Sequence, residues 1–179
     1  MMNNPDPRLP SIRNMTQNDL EQVLAWRNHP EIRRYMYTQH EITLAEHRDW
    51  FERSSLDPSK HLLIFEVDKI AQGFISINEL SFSGVAEWGF YIAVDAAKGT
   101  GRQLGLATLN YAFNTLQLRK VCGQALASNK RSIKFHLTLG FQQEGELREQ
   151  YWDGENYHSV ICLGLLNTEW QAVIKGICK

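Results

Sequence analysis

The period of the apolar positions changes along the chain, and each change marks an element boundary. Residues 9–15 alternate as a short first strand. Thr16-Gln17-Asn18-Asp19 has the form of an N-cap with an acidic residue three positions on, opening a helix with Leu20, Val23, Leu24 and Arg27 on one side. Asn28-His29-Pro30 ends it, because proline keeps its predecessor out of helical geometry, and a second short helix is expected over residues 31–36. Thr43-Leu44-Ala45-Glu46 is a fuller capping box for a helix to about Ser55 carrying Leu44, His47, Trp50 and Phe51.

The period then shortens. Residues 61–67, 70–80 and 85–94 are rich in Ile, Val, Phe and Trp, and Asp68-Lys69 and Ser83-Gly84 suit tight turns between three antiparallel strands. Residues 99–118 return to helical spacing, with Leu104, Ala107, Tyr111, Ala112 and Leu116 on one face. A strand over 120–127 follows, then a helix over 129–139 closed by Gly140. Two strands over 141–152 and 158–166 turn around Asp153-Gly154-Glu155-Asn156. This order describes one α+β domain over residues 9–170, with residues 1–8 a disordered lead-in and 171–179 a C-terminal tail.

Composition narrows the function classes. The 179 residues are 43% hydrophobic and 11% aromatic, enough for a sizeable core. Nineteen Lys+Arg balance twenty Asp+Glu without a basic block, so no nucleic-acid partner is expected. No apolar run reaches the ~20 residues of a membrane span, and MMNNPDPRLP lacks a secretory apolar core. Cys122, Cys162 and Cys178 show no metal spacing and suit a reducing compartment. The expectation is a cytoplasmic protein without a metal, its oligomeric state undecided and a homodimer left open.

The strongest local signal is Val94-Asp95-Ala96-Ala97-Lys98-Gly99-Thr100-Gly101-Arg102, where a strand ends and a helix begins. Free amides at such a helix start suit a phosphate. Lys98 and Arg102 add charge, and Gly99 and Gly101 permit close approach. The turn has neither the dinucleotide nor the P-loop spacing.

Together, Lys98-Gly99-Thr100-Gly101-x-x-Leu104, Asn129-x-x-Ser132-x-x-Phe135-His136-x-x-Leu139-Gly140-Phe141, Glu144-Gly145-x-Leu147-Arg148 and Leu165-Leu166-x-x-Glu169-Trp170 resemble the GCN5-related N-acetyltransferase superfamily in its ribosomal-protein-acetyltransferase-like branch. Within it, Trp26-Arg27-Asn28-His29-Pro30-Glu31-Ile32-Arg33 and Glu87-Trp88-Gly89-Phe90-Tyr91-Ile92 are similar to the pseudaminic-acid pathway enzymes that acetylate the 4-amino group of a UDP-linked amino sugar. The resemblance implies a mostly antiparallel mixed sheet of about seven strands, flanked by about four helices and splayed between strands four and five.

It also implies acetyl-CoA as co-substrate. Backbone groups of Ile92, Ala93 and Val94 would bind its pantetheine arm, and Lys98, Gly99, Thr100, Gly101 and Arg102 its pyrophosphate. Asn129, Ser132 and Phe135 would line the arm. The superfamily's usual tyrosine acid falls at His136, and a water-activating Glu at Glu87, with His61 and Asp153 as weaker bases. Arg27, Tyr37, His47, Trp50 and Trp88 would hold a UDP-amino sugar. One departure is Gln103, where the superfamily pattern has a second small residue. Two other functions fit the same residues: acetylation of a protein N-terminus, and a silent acyl-CoA-binding module.

Overall fold

The computed structural model describes residues 10–81 and 84–177. The lead-in, Leu9 of the first expected strand, Ser83 of the expected turn and the last two residues lie outside these.

Seven strands form one sheet in the order β1-β2-β3-β4-β5-β7-β6. They are β1 Ser11–Asn14, β2 Lys60–Val67, β3 Ile70–Glu79, β4 Val85–Ile92, β5 Lys120–Leu126, β6 Gln142–Trp152 and β7 Tyr157–Leu166. Every adjacent pair is antiparallel except β4 and β5. That parallel pair requires a crossover, supplied by α4 Thr100–Asn110 and a following π turn, Tyr111–Thr115. The β2–β3 hairpin turns through Asp68 and Lys69, both with positive φ as a two-residue primed turn demands.

The other helices are α1 Leu20–Asn28, α2 Pro30–Arg33, α3 Leu44–Ser55, α5 Lys130–Thr138 and α6 Asn167–Ile177. Among the described residues, six α-helices flank the sheet where about four were expected. Residues 171–177, expected as a tail, continue α6, whose Trp170 is fully buried and whose Val173 packs on the same core. The Thr43/Glu46 capping box at α3 closes in both directions.

Two cores lie on opposite faces of the sheet. Leu63, Ile75, Ile77, Trp88, Phe113, Phe141 and Trp170 belong to the face covered by α4, α5 and α6. Leu62, Ile64, Phe74, Val23, Trp26 and Phe51 belong to the face covered by α1 and α3. Arg13 ties the first turn to β2, bonding Asp19 at 2.7 and 2.8 Å and Glu66 at 2.7 Å. Among the described residues, no helix is long and apolar enough to cross a membrane.

Candidate active site

Pairing between β4 and β5 covers Val85/Lys120, Ala86/Val121 and Glu87/Cys122, and then stops, although both strands run on. The Ala93 N–H donates to the Gln72 carbonyl at 2.8 Å, so strand alternation turns the peptide groups of Phe90 and Ile92 the other way, toward β5. On β5, the Ala127 N–H donates to the Ser159 carbonyl at 2.9 Å, and the same alternation turns Gln124 and the Leu126 N–H toward β4. The sheet is thus split into a V whose walls offer unpaired backbone groups to an extended amide chain.

Ala93 itself is a correction. Its N–H is held by Gln72, and its carbonyl accepts from the Ala96 N–H at 3.1 Å. Phe90 takes its place beside Ile92, and Val94 stands exposed at the mouth.

The mouth leads to the start of α4. Gly99 has φ +98°, a left-handed conformation that only glycine adopts without strain. No side chain caps this helix and no acidic residue sits in its first turn, so its positive end is open to an anion. Lys98, Gly99 and Arg102 are exposed around it, Gly101 is half-buried and Thr100 is buried. A Cβ on Gly101 would stand 3.0 Å from Ile92. Gln103 is exposed and its backbone N–H already donates to the Gly99 carbonyl at 3.2 Å.

Helix α5 closes the other side. Asn129 caps it, accepting from the Ser132 N–H at 3.1 Å, and so serves the helix first. Phe135 lies 5.0 Å from the Phe90 ring and beside Gly101. A Schellman motif ends the helix, with the Phe141 N–H on the His136 carbonyl and the Gly140 N–H on that of Leu137. That turn lays Phe141 flat against Trp88, 5.3 Å between ring centroids.

Two expectations fail here. His136 is 2% exposed. Its Nε2 accepts from the Trp88 indole N–H at 3.0 Å, and its Nδ1 faces the Ser132 carbonyl at 2.8 Å and must donate to it. The ring is therefore the neutral Nδ1–H tautomer, with its one proton engaged. Burial pushes its pKa below the ordinary value, only partly opposed by the Ser132 bond. A general acid needs a free proton, and His136 has none. Trp88, expected to stack on the acceptor, is 6% exposed among Phe90, His136 and Phe141 and cannot reach it.

Because side chains alternate, Glu87 projects to the opposite face from Trp88. It is exposed, and it is the last β4 residue paired with β5, at the apex of the V. On this face, Asn78 and Ser76 of β3 stand opposite Glu87 and Gly89. They line a cavity of about 420 Å³ with Trp50, Arg53, Ser54, Lys60 and Leu62.

Trp50 stacks on His47 at 5.0 Å and meets Phe74 edge-on. His47 is buried and its Nε2 has no partner among the described residues; Arg27 Nη1 is likewise buried and unpartnered. Burial, with the Arg27 charge beside it, lowers the His47 pKa. Burial also lowers that of Arg27. The other Arg27 nitrogen, Nη2, donates to the Thr38 carbonyl at 3.1 Å.

Thr38 belongs to the segment between α2 and α3, which lies across the apex. The Tyr37 hydroxyl donates to Gln124 at 3.3 Å, its ring sits 5.1 Å from Tyr151, and the Tyr151 hydroxyl donates to the Tyr37 carbonyl at 3.1 Å. Burial, reinforced by Cys162 and Glu87, raises the Tyr37 pKa and keeps the phenol protonated. The weaker bases are otherwise engaged. His61 bonds Glu79 at 2.7 Å. Asp153 caps the β6–β7 turn, where the Asn156 amide, His158 and the Glu155 amide hold its pKa down at about 2.

Phe90, Gln124, Tyr151, Arg53 and Lys60 were not expected from the sequence. Phe90 was within reach, since any unpaired strand offers every second residue to the gap. Gln124 and Tyr151 depend on which segment reaches them, and Arg53 and Lys60 on how α3 docks beside β2 and β3; no local pattern states either. Among the described residues, no cluster of ligands suits a metal ion.

The family model described as Acetyltransferase (GNAT) domain matches residues 11–142. Acetyltransferase PseH of Campylobacter jejuni (strain 81-176) is 27% identical over 157 residues, covering 87% of this chain and 92% of that protein. Spermidine N(1)-acetyltransferase of Escherichia coli K12 is 23% identical, covering 90% and 88%. The crystal structure of Vibrio cholerae spermidine N-acetyltransferase with CoA and spermine superposes with TM-score 0.83 at 22% identity, over 90% of this chain and 98% of that one.

Proposed function

The chain belongs to the acetyltransferase (GNAT) domain family and is an acetyl-CoA-dependent N-acetyltransferase; on that premise we propose that its acceptor is the 4-amino group of a UDP-linked 4-amino-4,6-dideoxy sugar. Acetyl-CoA supplies an activated acetyl thioester. The chain's own groups fit it: unpaired Phe90 and Ile92 peptides for the pantetheine amides, and the open end of α4 with Lys98 and Arg102 for the pyrophosphate. Phe135 and Ser132 border the arm, with Asn129 holding their helix in place.

The observation that carries the acceptor class is the pair of buried polar atoms Arg27 Nη1 and His47 Nε2, unpartnered among the described residues, with the His47 ring stacked on Trp50 and the Arg27 charge near it. Buried polar groups are nearly always hydrogen-bonded, so the pair marks a place for a ligand with acceptor oxygens. Arg53 and Lys60, the latter paired with Asp57 at 3.5 Å, line the adjoining cavity, which has no carboxylate among its lining residues and suits a diphosphate. Trp50 and Tyr37 are the rings available to a flat base. Glu87 at the apex takes the ammonium proton, directly or through one water, so that a neutral amine attacks the thioester carbon. The C–N bond forms and the C–S bond breaks; the nitrogen sheds its second proton to solvent as the amide forms, and the departing sulfur takes one from solvent. Both co-substrates are charged and water-soluble, which puts the activity in the cytoplasm under this reading.

The likeness of the family to spermidine acetyltransferases supplies a second reading. Arg53 and Lys60 oppose it, since a polycation would be repelled from the cavity they line, and the Arg27 charge beside His47 adds to this. The test is thiol release from acetyl-CoA with the UDP-linked amino sugar, spermidine and an N-terminal peptide in parallel. Turnover with the sugar alone is expected. Turnover with spermidine or peptide alone would move the acceptor class, and none with any of the three would leave a silent acyl-CoA binder.

A further inference from the structure

Loss of the acid role leaves His136 unexplained, and its surroundings are unusually specific. Four aromatic rings enclose it: Trp88 at 5.5 Å, Phe90 at 5.8 Å, Phe135 at 5.9 Å and Phe141 at 5.0 Å. Below it lies Gly123 of β5, where a Cβ would fall 2.6 Å from His136 Nε2 and 2.9 Å from Trp88 Nε1. The Trp88–His136 hydrogen bond thus crosses directly over Gly123, one residue beyond the last β4–β5 pair. It occupies the point where the strands part.

We propose that His136 is a positioning residue: its neutral ring, bonded to Trp88 and seated on Gly123, is the wedge that sets the β4–β5 opening. This rests on the acetyltransferase reading of that opening. The wedge works through three fixed relations. The Ser132 carbonyl fixes the tautomer, so that Nε2 is an acceptor. Nε2 then holds the Trp88 indole and, through it, the strand position preceding Phe90 and Ile92. The bare Gly123 backbone lets both rings approach β5. Among the described residues, no charged side chain on α5, β4 or β5 acts on the imidazole, so nothing there stabilises an imidazolium. Protonation would turn Nε2 into a second donor facing the Trp88 N–H and break the wedge.

The alternatives separate by experiment. Histidine ¹⁵N spectra of the wild-type protein should show His136 as the Nδ1–H tautomer, staying neutral to a pH below 6.5. In kinetics, His136→Phe leaves the Trp88 N–H unsatisfied and should raise the acetyl-CoA KM roughly tenfold, about what one orphaned buried donor costs. The shape of the kcat–pH profile should not change. His136→Gln, whose carbonyl can still accept from Trp88, should recover most of that loss, and Trp88→Phe should reproduce it.

An Nε2–H tautomer, or loss of ~10²-fold or more in kcat in both His136 variants together with one limb of the pH profile, would overturn the proposal in favour of proton transfer. Binding of CoA to the wild type, measured by calorimetry, keeps the two readings apart. If the wild type fails to bind CoA, the reading of the opening fails. If it binds, and His136→Phe binds equally well, only the wedge fails.

Discussion

At the scale of single residues, the proposed function gives Glu87 and Arg27 different parts of the reaction, so they should fail differently. Glu87 sits at the apex on the acceptor face, so Glu87→Gln should lower kcat by roughly 10²–10⁴ with little change in the acetyl-CoA KM. Steady-state kinetics with each substrate varied in turn checks this. Arg27→Gln should instead raise the acceptor KM by about 10–100-fold, the range for a lost charge-assisted hydrogen bond, with kcat moving far less. If Arg27→Gln changes only the acetyl-CoA KM, the anion site lies elsewhere. Neither His136 nor Trp88 could be assigned correctly from sequence alone. Both sit at motif positions, but whether a ring donates, accepts or stacks is fixed by partners 48 residues apart.

At the scale of elements, the site depends on how closely α4 and α5 approach each other. A Cβ on Gly105 would fall 2.6 Å from Leu139 and 2.9 Å from Phe135, so Gly105→Ala should destabilise the fold by about 1–3 kcal/mol through overpacking. Urea unfolding measures this, and an unchanged midpoint would show that α5 can give way. Most elements were legible because their period is strong: the β2–β3–β4 meander, the capped α3 and the glycine-closed α5 appear where expected. Less legible was α6. Its Trp170, Val173 and Ile174 follow helical spacing, but the run is too short to separate from a tail without the core it covers. Ala93 was misassigned because the direction of a strand's peptide groups depends on its register with β3.

At the scale of the whole molecule, several acid-sensitive groups should shape stability at different pH, buried His47 in the same range as His136 and Asp153 in the same range as Asp19. His136 has a folded pKa below its ordinary 6.5. The unfolded chain therefore binds the extra proton first, and stability present above about pH 6.5 is lost as pH falls toward the folded value. Asp19 follows at lower pH. Burial opposes its charge, but the Arg13 and Thr16 hydrogen bonds outweigh that and hold its pKa below 3.8. Its contribution, present above that value, is lost as pH falls further. Thermal midpoints across pH 7 to 4 should show the first decline in the wild type and a flatter one in His136→Gln. Equal slopes would remove His136 as the cause. The two cores meet through β4, whose alternate residues face opposite sides of the sheet; under the proposed function its Phe90 and Ile92 peptides take the acetyl donor and Glu87 faces the acceptor, so a single strand would align both substrates.

The acceptor class is the central claim, and competition between acceptors tests it most directly. Acetyl transfer should be followed with the UDP-linked 4-amino sugar and spermidine together, in wild type and in Arg27→Gln. Acetylation of the sugar alone, weakened in the variant, is the predicted result. Preferential acetylation of spermidine, unaffected or improved by removing the Arg27 charge, would contradict the account.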